Sequence, residues 1–254
     1  MSGLLSGKIA VITGAGSGIG RGSALCFAEA GATVVVSDID VTGGEGTVDL
    51  IKQGGGAASF IKCDVSKASE VEALIAGVVA KHGRVDCAYN NAGVEGEWAP
   101  IHASTEENFD FNYNVNLKGV FLCMKYEIQQ MLKQENGGSI VSTASIAGLV
   151  GGKNMSAYVA AKHGVVGLTK SAALEYATKK IRINAVCPGA IRTPMLERLM
   201  TEKPKMAAAT IAMEPIGRLG EPEEIGRAVV WLCSDQASFV TGHAMPVDGG
   251  IVAA

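Results

Sequence analysis

The stretch KIAVITGAGSGIG, residues 8–20, decides the fold. Its first half is a short apolar run rich in β-branched residues. Such a run reads as a strand buried on both faces, the habit of parallel sheets. Its second half carries glycines at 14, 16, 18 and 20. Glycine permits a tight turn and lets backbone approach a pyrophosphate, which rests on the N-terminus of the helix that follows. The spacing is GxxxGxG through Gly14, Gly18 and Gly20, not the commoner GxGxxG, but the physical demands are the same. A glycine turn alone is weak evidence. Between a strand and a helix it points to a dinucleotide.

The same rhythm continues outward. Candidate strands lie at 8–13, 33–38, 59–64, 85–90, 138–143, 182–187 and 244–248. Helical stretches separate them, near 18–30, 42–53, 67–82, 106–134, 155–179 and 222–234. This alternation predicts an α/β protein: a single-domain Rossmann fold over 1–254, with a seven-stranded parallel doubly wound sheet and helices on both faces. The first six strands should follow the order 3-2-1-4-5-6, with the seventh alongside. Residues 193–217 break the rhythm with four methionines and three prolines. Flexible apolar side chains on a long connection suit a substrate lid.

Composition narrows the function. The chain has 254 residues, 48% hydrophobic and 19% charged, with a net charge of −3. Neither a basic footprint for nucleic acid nor a run able to span a membrane is present in it. The opening MSGLLSGKIA lacks the pattern of a signal peptide, so a cytoplasmic location is expected. The six cysteines are dispersed in apolar stretches without a CxxC pair, which suits reduced, buried thiols. The four histidines show no ligand spacing, and no metal is expected.

Asp38 ends the second strand, 18 residues past Gly20, where a carboxylate can accept hydrogen bonds from ribose hydroxyls. A 2′-phosphate there would meet like charge. Ser17 occupies the glycine loop where a base would help, and Arg21, one helical turn on, is expected to face away. The expected cofactor is therefore NAD. Asp38 could instead only cap the next helix. Asp64, read as ending the third strand, could hold the adenine amino group or cap a helix. In NNAG (90–93) the asparagines could brace the sheet or touch the ligand.

In SAYVAAKHGVVG (156–167), Tyr158 and Lys162 stand four apart. On a helix that spacing stacks them about 6 Å apart on one face. They could be a packed tyrosine beside a snorkelling lysine, or a phenol made acidic by a cation.

The glycine turn, NNAG, YVAAK and PGAIRT occur in order and at separations that resemble the short-chain dehydrogenase/reductase family. The likeness runs from about Gly7 to Gly250. FLCMKYEI and RLGEPEEIG are also similar to bacterial members that oxidise secondary or cyclic alcohols. The resemblance implies a catalytic tetrad of Asn116, Ser145, Tyr158 and Lys162. Ser145 lies 13 residues before the tyrosine, with Ser142 a rival; Asn112 and Asn114 crowd Asn116. It places the cofactor along Gly14, Ser17, Gly18, Ile19, Gly20, Asp38, Asp64, Val65, Asn91, Ala92, Gly93, Tyr158, Lys162, Pro188, Gly189, Ile191 and Thr193. Tyr158 would move the substrate proton, Ser145 hold its oxygen, Lys162 bond the ribose, and Asn116 anchor a water linked to Lys162.

The substrate wall would include Val94, Glu95, Trp98, Ile146, Leu149, Met195, Leu196 and Leu199, with Glu95 its only charge. A small neutral secondary alcohol or ketone is expected. Apolar residues on several faces of the helices at 106–134 and 155–179, together with the family habit, imply a homotetramer. An NADPH-dependent 3-oxoacyl reductase and a non-catalytic dinucleotide-binding sensor are the competing readings.

Overall fold

The computed structural model describes residues 3–194, 196, 197, 201 and 211–253. Seven strands form one parallel sheet: β1 (Ile9–Thr13), β2 (Thr33–Asp38), β3 (Ala57–Lys62), β4 (Cys87–Asn90), β5 (Gly138–Thr143), β6 (Ile181–Pro188) and β7 (Ala244–Val247). Their order is β3-β2-β1-β4-β5-β6-β7, as the sequence predicts. The helices on its faces are α1 (Gly18–Glu29), α2 (Val41–Gln53), α3 (Ala68–His82), α4 (Glu106–Asn112), α5 (Gly119–Met131), α6 (Ser156–Tyr176) and α7 (Pro222–Cys233).

Successive strand residues point to opposite faces, and both faces are buried. Val11, Val35, Ala88 and Ile140 pack with α3, α5 and α6 through Leu74, Met124 and Val165. Ala10, Ile12, Val34, Tyr89 and Val141 pack with α1, α2 and α7 through Phe27, Ile51 and Ile225. The strand order reverses between β1 and β4, whose last residues, Thr13 and Asn90, lie side by side. A crevice outside the carboxyl ends of the strands at such a reversal is where ligands bind in these sheets.

Two differences from the sequence reading bear on the crevice. β3 sits two residues earlier, because Ala57 and Ala58 pair with Thr33 and Val34. Asp64 therefore lies beyond the strand, where it turns the chain by accepting bonds from the Ser66 N–H (3.0 Å) and hydroxyl (2.6 Å). The helix expected over 106–134 widens into a π-helical turn at Tyr113–Lys118 between α4 and α5. Such turns are frequent at functional sites. Met195 and Leu199, part of the expected lid, lie outside the described residues. All six cysteines are free and buried. Among the described residues no helix is long and apolar enough to cross a membrane.

Glu127 on α5 is buried beneath β4, where Asn90 Nδ2 donates to its Oε2 at 3.0 Å. Burial pushes this carboxyl from 4.5 up to about 8. The folded protein thus keeps a proton that the unfolded chain releases above 4.5. Its contribution to stability is present below that pH and is lost as pH rises through about 8. Glu127→Gln should match the parent near pH 5. Toward pH 8 it should gain on it by up to about 1.4 kcal/mol per pH unit, measured by urea unfolding at several pH values.

Candidate active site

The glycine turn is fixed by close approach. Gly14 adopts a left-handed φ of +63°, and a Cβ there would stand 2.6 Å from Ala92 Cα. A Cβ on Gly20 would stand 2.0 Å from the Gly14 carbonyl oxygen. The turn therefore accepts glycine alone at these two points. Asn91 closes the gap between β1 and β4: its Nδ2 donates to the Gly14 (3.1 Å) and Thr13 (3.3 Å) carbonyls. Thr13 Oγ1 accepts from the N–H groups of Asn91 (3.1 Å) and Ala92 (3.3 Å). Asn91 is thus a brace of the crevice, the first of the two roles open to it from sequence.

Asp38 spans to the same turn, its Oδ2 accepting from Gly16 N at 2.8 Å and its Oδ1 from Asp40 N at 2.9 Å. It does not cap α2, whose N-cap is Asp40. A carboxylate has about four acceptor directions, so lone pairs remain for ribose hydroxyls. Arg21 corrects the sequence reading. It turns back under the loop, bonding the Gly16 carbonyl, the Gly43 carbonyl (3.2 Å) and Thr47 Oγ1 (3.0 Å). Its guanidinium is spent on the loop, on the Gly43 carbonyl and on the Thr47 hydroxyl. The N–H groups of Ile19 and Gly20, in the first turn of α1, have no partner among the described residues. Together with the filled-only-by-hydrogen cradle at Gly14 and Gly20, they fit a dinucleotide pyrophosphate.

Tyr158 and Lys162 lie one turn apart on α6, with Lys162 Nζ 5.5 Å from the phenol ring centre. Lys162 is buried and donates to the Thr143 carbonyl at the end of β5 (2.8 Å). Ser145 opens the short turn after β5, where its Oγ accepts from Ala147 N (3.1 Å). Ser142 is fully buried inside the strand with its hydroxyl unpartnered, so Ser145 is the serine at the crevice. Burial pushes the Tyr158 phenol up to about 12, Ser145 pulling it down by a hydrogen bond and Glu95 pushing it up by charge. Burial also pushes Lys162 down to about 8. Without a ligand, burial is the largest influence on the phenol.

Asn116 sits in the π-helical turn and is fully buried, whereas Asn114 is half-buried. Asn116 takes both polar groups of Val94, Oδ1 accepting from its N–H (2.9 Å) and Nδ2 donating to its carbonyl (2.7 Å). A Cβ on Gly93 would stand 2.9 Å from Asn116 Oδ1 and 3.6 Å from Lys162 Nζ, so these two side chains flank the NNAG turn together.

After β6 the chain passes Pro188 and Gly189 beside β7, with Gly189 N donating to Val247 O at 3.2 Å. Ile191 pairs with Gly220 through the Ala190 carbonyl and the Arg192 N–H, so this bridge uses neither polar group of Ile191 itself. The Thr193 methyl comes within 3.2 Å of where a Gly18 Cβ would be, joining this turn to the glycine loop. Val65 is buried against Gly119.

Sequence reasoning missed Thr13, Thr143 and Glu214. Glu214 is buried and accepts from Ala190 N at 2.7 Å, holding the turn after β6. Lone threonines and a glutamate far along the chain carry no local signal. Asn108, Asn112 and Asn116 do: their spacing of four is visible in the sequence.

A family model described as enoyl-(acyl carrier protein) reductase matches residues 14–252. The chain is 45% identical over 249 residues to 2,5-dichloro-2,5-cyclohexadiene-1,4-diol dehydrogenase of Sphingobium indicum, covering 98% of each. It is 47% identical to cyclohexanol dehydrogenase of an Acinetobacter species, covering 98% of this chain and 96% of that one. The crystal structure of levodione reductase superimposes with a TM-score of 0.95 at 39% identity, covering 98% of this chain and 99% of that one.

Asn116→Ala strands the N–H and carbonyl of Val94 and should cost about 1–3 kcal/mol by denaturant unfolding. Asn114→Ala should change stability by no more than about 0.5 kcal/mol.

Proposed function

The chain belongs to the short-chain dehydrogenase/reductase family of oxidoreductases, and from that premise we propose that it moves a hydride between NAD(H) and a small neutral secondary alcohol or ketone. The observation that carries the reading is the meeting of Tyr158, Ser145 and Lys162 at the crevice beside the glycine turn. A protein that only bound a dinucleotide would have no use for a buried lysine stacked on a tyrosine.

The nicotinamide, when bound, accepts or donates the hydride and in its oxidised form brings a positive charge. Ser145 holds the substrate oxygen and turns its carbon toward the hydride path. Tyr158 takes the alcohol proton during oxidation and returns it during reduction. Lys162, its pKa lowered to about 8, bonds the ribose and exchanges protons through a water anchored by Asn116. Gly14, Ser17, Gly18, Ile19 and Gly20 hold the pyrophosphate. Asp64 and Val65 border the adenine, and Asn91, Ala92 and Gly93 shape the crevice. Pro188, Gly189, Ile191 and Thr193 carry the nicotinamide, with the free backbone groups of Ile191 toward its carboxamide.

Asp38 favours NAD over NADP, because its carboxylate repels a 2′-phosphate and the nearby Arg21 is committed to the loop. The same residue disfavours an NADPH-dependent 3-oxoacyl reductase. The names of the dichlorocyclohexadienediol and cyclohexanol dehydrogenases and of levodione reductase support a cyclic substrate. The buried free thiols suit the cytoplasm. Exposed Phe109, Phe111, Phe121 and Leu174 on α4, α5 and α6 support a homotetramer built across these helices.

A panel of cyclic secondary alcohols and ketones, run with NAD(H) and NADP(H), tests the reading. Turnover with NAD(H) should fall by about 10²–10⁴-fold in Tyr158→Phe while NADH affinity, read by fluorescence, is kept. Preference for NADP(H) would overturn the role given to Asp38. Light scattering at micromolar concentration should return four times the chain mass.

A further inference from the structure

Glu95 lies near enough to Tyr158 for its charge to act on the phenol, and the reaction above gives it no task. The segment that carries it is clamped from one face of α4 and the π-helical turn. Asn116 bonds both polar groups of Val94 on one side. On the other, Asn108 Oδ1 accepts from Glu97 N (2.8 Å) and its Nδ2 donates to Glu97 O (3.0 Å). Between them Gly96 takes a left-handed φ of +67°, and a Cβ there would stand 2.2 Å from Asn112 Nδ2. Asn112 in turn bonds the Asn108 carbonyl (3.0 Å) and accepts from Asn116 Nδ2 (3.0 Å). A ladder of three asparagines therefore fixes where Glu95 stands.

The carboxylate itself is half-buried and makes no hydrogen bond or ion pair among the described residues. Among the described residues it supports nothing in the fold. Burial pushes its own pKa up, and its charge pushes the Tyr158 phenol up as well. That second effect disfavours the phenolate form that Tyr158 needs before it can take an alcohol proton. An apolar residue would serve both the fold and the phenol better, so the acceptor oxygens must find their use in a ligand. Partial burial without a donor is a cost that a bound hydroxyl relieves and a hydrocarbon does not.

Resting on the dehydrogenase reading above, we infer that Glu95 is a substrate-recognition residue whose carboxylate accepts a hydrogen bond from a second hydroxyl, so that the substrate class is a diol or hydroxyketone. The reacting oxygen lies between Ser145 and Tyr158, and the second hydroxyl reaches the clamped segment. A site built to bond a hydroxyl rejects the analogue that lacks it, because its own polar group is then left bare.

The test compares cyclohexanol, the cis and trans 1,2-, 1,3- and 1,4-cyclohexanediols, and 4-aminocyclohexanol, with NAD, on the full chain, Glu95→Gln and Glu95→Ala. For the parent, kcat/KM for at least one diol should exceed that for cyclohexanol by about 10–100-fold. Glu95→Ala should cut that ratio at least tenfold while raising kcat/KM for cyclohexanol, since the charge opposing Tyr158 is gone. Glu95→Gln, which keeps the size and one acceptor oxygen, should fall between. NADH affinity by fluorescence checks that each variant is folded. An unchanged ratio in active Glu95→Ala overturns this inference and leaves the dehydrogenase reading standing. Preference for the amino alcohol over every diol also overturns it, in favour of a cation. No turnover of any alcohol by the parent chain removes the dehydrogenase reading, and this inference with it.

Discussion

The crevice depends on how closely the carboxyl ends of β1 and β4 approach. Gly14 and Ala92 come so near that only hydrogen fits on the glycine. The Asn91 amide and the Thr13 hydroxyl then lock the two turns together. That contact sets the glycine turn beside the NNAG turn. Asp38 and Arg21 brace the same loop from behind through Gly16. A side chain at Gly14 or Gly20 would separate the strands' exits.

Burial is the second constraint, and it acts on both Tyr158 and Lys162. It makes Tyr158 a weaker acid and Lys162 a weaker base. Buried groups shifted in opposite directions and stacked on one helix face are poised for charge arriving with a ligand. The anchor of Lys162 on the Thr143 carbonyl keeps its ammonium at the end of β5, beside Asn116 and the NNAG turn, rather than letting it reach for solvent.

The asparagine ladder links these parts. Asn108, Asn112 and Asn116 recur every fourth residue, a spacing that would make an ordinary helix face. Here the helix widens at Tyr113–Lys118, and the ladder bonds the backbone of 94–97 instead of solvent. One helix face therefore positions both a residue of the proposed tetrad and the segment lining the substrate side.

By itself the sequence determined what depends on local pattern. Apolar runs broken by glycine placed the strands, and their alternation with helices implied the sheet order. The four-residue spacing of Tyr158 and Lys162 put both on one face, and the glycine turn at Gly14, Gly18 and Gly20 marked the crevice. Strand and helix periodicities are written in neighbouring residues, so they survive without tertiary context. Only the tertiary structure decided the rest. It buried Asn116 fully and Asn114 only in part, left the Ser142 hydroxyl unpartnered inside its strand, and gave Asn91 a bracing role. It turned Arg21 back onto the loop and brought Glu214 to Ala190, Thr143 to Lys162 and Asn116 to Val94. Each of the last three pairs joins residues 19 to 24 apart in the chain. Nothing in the local pattern of either partner encodes the other; the sheet brings them together.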